Sequence, residues 1–249
     1  MAESSTLERM PHPPNPLIVA LDFESAAHAR ALVETLGDAV NFYKVGMELY
    51  AAEGMTFVQE LIGAGKDVFL DLKLYDIGET VKRAVARVAD TRVRFLTVHG
   101  SSAIMKAAVA GRADAPLKLL AVTVLTSFDQ QDLTDLGFPC NVADLVDLRV
   151  RKAMEAGIDG IVCSPLDAAR VRAITGPEKV LVTPGVRSPS ADAGDQKRVA
   201  TPAEAIRDGA DYLVIGRQVT RAASPAEEVR RILDEIGADR PLPATPWRP

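Results

Sequence analysis

Asp71-Leu72-Lys73-Leu74-Tyr75-Asp76 places two carboxylates and one ammonium within six residues. The stretch follows Val68-Phe69-Leu70, an apolar run that reads as a short strand. Side chains alternate faces along a strand, so Asp71 and Lys73 are expected on one side, with Asp76 just beyond, where the chain turns toward a helix. An ammonium bracketed by carboxylates is costly to bury. It is useful for moving a proton or expelling an anion.

Other polar residues stand at the ends of similar apolar runs: Asp22, Lys44, His99, Thr123 and Thr126, then Thr183-Pro184-Gly185-Val186-Arg187 and Gly216-Arg217. Gly185 and Gly216 would let backbone amides approach an anion, and Arg187 and Arg217 would supply charged forks. The pair reads as a phosphate site, although either arginine alone reads first as an ordinary surface residue. Asp71 and Lys73 have a bland reading too, as a structural ion pair. A pair near 4 Å gains only ~4 kcal/mol at an intermediate dielectric, against desolvation costs of several kcal/mol per ion, so a row of such charges is a poor stabiliser. Asp22 has two readings, a cap for the helix near Ser25 or a partner for substrate hydroxyls. His99 reads first as a packed or hydrogen-bonded rim residue and second as a general base.

These residues need elements to bring them together. Strands are predicted over Leu17–Leu21, Phe42–Val45, Val68–Asp71, Phe95–Val98, Leu117–Val124, Gly160–Cys163, Val180–Thr183 and Tyr212–Ile215. Most are apolar on both faces, as parallel strands covered on both sides are. Amphipathic helices are predicted between them, among them Ala26–Leu36, Glu48–Ile62, Thr80–Ala89, Ala103–Ala110, Val142–Ala156, Leu166–Ile174 and Pro202–Arg207, with Pro225–Ile236 after the last strand. Thr201-Pro202-Ala203-Glu204 and Ser224-Pro225-Ala226-Glu227 both carry helix-start chemistry. Eight strand–helix units in this length predict a single (β/α)8 TIM barrel over residues 17–240, whose chemistry would sit on the loops at the carboxyl ends of the strands. A doubly wound open sheet is the alternative, but the first turn, Asp22-Phe23-Glu24-Ser25, lacks the glycines of that fold. Residues 1–16 read as a flexible Pro-rich extension and residues 241–249 as a Pro-rich tail.

Composition narrows the function. The chain has 249 residues, 47% of them hydrophobic, enough for a full core. The net charge is −5 with no basic stripe, which argues against nucleic acid. No apolar run approaches a membrane span, and Met1–Pro16 has no secretory-type core. Cys140 and Cys163 read as packing thiols, and no Cys/His spacing suits zinc or iron, so neither metal nor disulfide is expected and a cytoplasmic location fits.

Taken together, the segments resemble the bacterial orotidine 5'-monophosphate decarboxylases from about Leu17 to Ile236. The strongest piece is Phe69 to Ile77 continuing to Thr80. Supporting pieces are Ala20-Leu21-Asp22, Phe42-Tyr43-Lys44-Val45-Gly46, Ala121 to Ser127, Thr183 to Arg187, Asp192-Ala193-Gly194-Asp195-Gln196 and Val214 to Arg217. The resemblance implies decarboxylation of orotidylate to uridylate without a cofactor, by a homodimer with shared sites. It implies Lys73 as proton donor in a charged network with Lys44, Asp71 and Asp76, the last given by the partner subunit. Asp22 would contact the ribose, as would Thr80 from across the dimer, and Thr126 the pyrimidine. Arg187, Gln196, Gly216 and Arg217 would hold the phosphate and the ring, under a lid formed by Arg187–Gln196. Related metal-dependent sugar-phosphate enzymes share the Asp-x-Lys-x-x-Asp segment but use a carboxylate where this chain has Lys44. A non-catalytic nucleotide-binding barrel is the reading from a different class.

Overall fold

The structure, a computed structural model, describes residues 15–189 and 200–237. Strands β1 (Leu17–Ala20), β2 (Phe42–Gly46), β3 (Asp67–Leu74), β4 (Phe95–His99), β5 (Lys118–Val122), β6 (Gly160–Val162), β7 (Val180–Thr183) and β8 (Tyr212–Ile215) form a closed parallel barrel in sequence order, with β8 pairing back onto β1. Helices α1 (Ala26–Leu36), α2 (Met47–Gly63), α3 (Gly78–Ala89), α4 (Ser102–Arg112), α5 (Gln130–Asp135), α6 (Val142–Ala156), α7 (Ala168–Thr175), α8 (Pro202–Arg207), α9 (Arg217–Thr220) and α10 (Pro225–Glu235) lie between and after the strands. The fold is the TIM barrel that the alternation predicts. Asn15 and Pro16, assigned from sequence to the flexible extension, are instead tied to the barrel: the Asn15 amide donates to Ala39 O, and Pro16 O accepts from Leu213 N. The rest of that extension and the expected tail at 241–249 lie outside the described residues, as does the Gln196 segment.

Two cores follow from strand alternation. Outward residues such as Val19, Val45, Leu70 and Leu96 pack against the helices. Inward residues, led by Ile18, Phe42, Phe69, Phe95, Leu120, Val182 and Tyr212, fill the barrel. Burying each large inward side chain contributes about 1.5–3 kcal/mol. The floor is closed by aromatics: Phe42, Phe95 and Tyr212 meet at ring separations of 5.0 to 5.6 Å. The Arg94 guanidinium lies 5.1 Å from the Phe42 ring centroid and donates to the Tyr212 hydroxyl at 2.8 Å. Space for a ligand is therefore left at the carboxyl-end mouth.

Aspartates fix strand offsets. Asp159, one residue before β6, accepts from Leu119 N at 2.9 Å and pairs with Arg112. Asp211, one residue before β8, accepts from Leu181 N at 2.8 Å and pairs with Arg172 at 2.7 Å. Each ties a strand to its neighbour and to a helix, which sets the height of the strand ends above. The helix starts differ from expectation in one case. Thr201 and Glu204 form the expected capping box, whereas Ser224 makes no side-chain cap bond, its backbone at φ −132°, ψ 88°. Among the described residues no helix is long and apolar enough to cross a membrane.

Candidate active site

In β2, β3 and β4 an inward phenylalanine is followed two residues later by a polar side chain: Phe42 and Lys44, Phe69 and Asp71, Phe95 and Thr97. The period of two carries those polar groups up the inner wall to the mouth. There Lys44 and Asp71 border a cavity of about 620 Å³, a size suited to a small-molecule ligand, while Thr97 lies behind its lining. Its lining includes Asp22, Lys44, Asp71, Lys73, Thr126, Arg187, Gly216 and Arg217, gathered from β2, β3 and the segments after β1, β5, β7 and β8.

The charges alternate along one wall. Lys44 Nζ lies 2.8 Å from Asp22 Oδ1 and 3.8 Å from Asp71 Oδ2; Lys73 Nζ lies 2.9 Å from the same Asp71 oxygen. Asp22 thus pairs with Lys44 and does not cap α1, whose first amide, Ala26 N, is bonded by Glu53 instead. Gly46 makes room for this pairing: a Cβ there would sit 2.8 Å from Lys44 Nζ and 3.1 Å from Asp22 Oδ1. Lys44 is almost fully buried, so its charge is compensated by these carboxylates and not by water.

Lys73 does not reach the site by simple alternation. The β3–β4 ladder shifts register between Leu70 and Leu74, and the Lys73 backbone stands at φ 49°. That left-handed region costs a residue with a Cβ on the order of 1–3 kcal/mol, and such strain clusters at functional sites.

The arginine side of the cavity is assembled by a contact with no signal in the sequence. Gln218, next to Arg217, accepts from Ser188 N at 3.1 Å and donates to Ser188 Oγ at 2.8 Å, beside Arg187. The Ser188 hydroxyl in turn donates to Glu235 at 2.7 Å. This clamp holds the β7 segment against α9 and so brings the two arginines to one cavity. Gly185 has φ 78°, the conformation that a glycine serves in that turn. Arg217 is the first residue of α9, a helix too short to show periodicity, where a loop was expected.

Asp76 and Thr80 stand apart. Both are exposed, and neither lines this cavity. Asp76 accepts from Ile77 N at 2.6 Å, between Tyr75 and Ile77, which are 68% and 75% exposed.

Residues 15–232 match the family model described as orotidine 5'-phosphate decarboxylase / HUMPS family. The chain belongs to this family. It is 54% identical to the orotidine 5'-phosphate decarboxylase of Rhodopseudomonas palustris strain BisB5 over 88% of this chain and 94% of that protein. It is 53% identical to that of Nitrobacter winogradskyi over 88% and 92%. The crystal structure of orotidine 5'-phosphate decarboxylase from Lactobacillus acidophilus superimposes with a TM-score of 0.78 at 33% identity, covering 89% of this chain and 99% of that one.

Within this family member, Thr97, Gln218 and Ser188 are not among the residues that the sequence singled out. Thr97 had a legible signal, the repeated Phe-x-polar pattern of β2 to β4. Gln218 and Ser188 had none, because they meet across 30 residues of chain. His99 ends β4 and packs on Tyr75, ring centroids 4.8 Å apart, as the rim reading expects. Its Nδ1 is buried without a hydrogen-bond partner among the described residues. Burial, helped by the Arg149 guanidinium, holds its pKa below the ordinary 6.5. A depressed value means that the unfolded chain binds the proton first as pH falls. The contribution to stability is full above pH ~6.5 and is lost progressively below it. His99→Gln is expected to show a smaller drop in melting temperature than the parent between about pH 7.5 and about pH 5.5. Equal drops would show that His99 is not held neutral by the fold.

Proposed function

We propose that this chain is a cytoplasmic, homodimeric carboxy-lyase. It converts orotidine 5'-monophosphate to uridine 5'-monophosphate and CO2, the final step of de novo pyrimidine biosynthesis, with the domain of residues 17–240 as its catalytic unit. The observation that carries this reading is the alternating row Asp22–Lys44–Asp71–Lys73 on the same cavity as Arg187 and Arg217.

Loss of the carboxylate at ring C6 leaves an electron pair in an sp² orbital with no carbonyl sink in conjugation. Fixed charge must lower that barrier. The C6–carboxylate bond breaks, CO2 departs, and the pair left on C6 takes a proton from Lys73 Nζ. The resulting amine regains a proton from solvent. Asp71 stands near the departing carboxylate and disfavours it before bond breaking. Lys44 holds Asp71 in place and joins it to Asp22, which contacts the ribose. Thr126 lies against the pyrimidine, while Arg187, Gln196, Gly216 and Arg217 hold the phosphate and the ring. Binding the phosphate supplies energy for ordering the charged groups, and the segment Arg187–Gln196 closes over it. Asp76 and Thr80 serve the partner's cavity, which accounts for their exposure here.

The decisive experiment follows orotidylate absorbance with purified protein and a chelator present. Turnover unaffected by chelation is expected. Turnover lost on chelation would transfer the chain to metal-dependent chemistry, where an ammonium such as Lys44 beside Asp71 would compete with a divalent ion. Uridylate binding without turnover would make it a nucleotide-binding barrel.

A further inference from the structure

Thr97, on β4, is fully buried, and its hydroxyl makes two hydrogen bonds in the charged row. Lys73 N donates to Thr97 Oγ1 at 2.9 Å, and Thr97 Oγ1 lies 2.9 Å from Asp71 Oδ1. The roles are unambiguous. A backbone N–H can only donate, so the hydroxyl accepts there, and its single hydrogen goes to the carboxylate.

Both bonds act where the sheet is irregular. Leu70 pairs with Leu96 and Leu74 with Val98, so four steps on β3 face two on β4. Asp71, Leu72 and Lys73 lie in this bulge, and the Thr97 hydroxyl stands in for the missing ladder acceptor of Lys73 N. It thereby secures the left-handed turn that aims the Lys73 side chain. Its other bond fixes Asp71 Oδ1, leaving Oδ2 to face Lys73 Nζ at 2.9 Å and Lys44 Nζ at 3.8 Å.

We propose that Thr97 is the positioning residue of this site: its hydroxyl, not its methyl, sets both the direction of the Asp71 carboxylate and the backbone turn of Lys73. This rests on the decarboxylase reading above. Thr97 touches no reacting atom. Its effect is exerted on turnover, through Lys73 and Asp71, and hardly on ligand affinity, which the ribose and phosphate contacts supply.

A ranking of variants separates this role from ordinary packing. By hydrogen bonding, the order of kcat is Thr, then Ser close behind, then Cys, then Val; by filled volume, Val and Thr lead and Ser comes last. The expected result is turnover within about 3-fold of the parent for Thr97→Ser and a loss of at least ~10-fold for Thr97→Val, the size that one misplaced catalytic group produces. Uridylate Kd should stay within about 3-fold throughout, since it measures uniform binding. If Thr97→Val does not fold, Thr97→Ser against Thr97→Cys decides alone. The volume order, or parallel loss of kcat and uridylate binding, would overturn the proposal. A parent protein without orotidylate turnover would overturn the decarboxylase reading first; an active parent with the wrong order overturns only the role of Thr97.

Discussion

Lys73→Ala is expected to lower orotidylate turnover by at least ~10⁴-fold, because it removes together the proposed proton donor and the positive charge proposed to face the forming carbanion. The fold should survive. Lys73 is partly exposed, and Asp71 keeps Lys44 Nζ at 3.8 Å and the Thr97 hydroxyl at 2.9 Å, so no carboxylate is stranded. A companion variant adds a second readout. Lys73→Gly should be as inactive as Lys73→Ala yet more stable than it by about 1 kcal/mol, because only the glycine adopts φ 49° without Cβ strain. Steady-state assays and urea midpoints measure the two effects. Turnover near the parent rate in Lys73→Ala would remove Lys73 from the chemistry. An alanine variant at least as stable as the glycine variant would mean that the strained turn is absent.

Asp76→Ala should also be inactive, and mixing it with Lys73→Ala should restore about one quarter of parental activity. In a heterodimer with shared sites, one cavity takes both lesions and the other takes neither. Random exchange makes half of the molecules heterodimers, each with one of its two cavities intact. The physical motive lies on the rim: Asp76 is exposed, off its own cavity and flanked by the exposed side chains of Tyr75 and Ile77. Those apolar groups would be covered when a second copy docks and brings Asp76 to the neighbouring Lys73. Verified heterodimers with no recovered activity would refute shared sites.

Much of this architecture was legible along the chain. The bounds of α1 and α6 match their predicted spans, because each carries several turns of apolar periodicity. Helices α5 and α9, 6 and 4 residues long, are too short for a period to declare itself; α8, also 6 residues, was legible through the Thr-Pro-x-Glu start that precedes it. β3 runs on to Leu74, beyond its predicted end at Asp71, because the chain continues in the sheet across the bulge. Glu53, a residue without any evident signature, took the capping role considered for Asp22.

Local pattern sufficed to show which charges stand at strand ends and, for Lys44 and Asp71, on which face, since alternation along a regular strand is a property of the backbone; for Lys73 it did not. It placed Lys44 and Asp71 above inward phenylalanines and matched two Gly–Arg segments on neighbouring strands. The packed barrel alone shows how Asp71-Leu72-Lys73 is bent, which Asp71 oxygen faces the ammonium groups, and that a buried threonine bonds to both residues. Those choices depend on the offset between β3 and β4, and the bonds that express it join residues 24 and 26 positions apart. No local pattern encodes such an offset. It is set when closure of the barrel fixes the height of every strand against its neighbours.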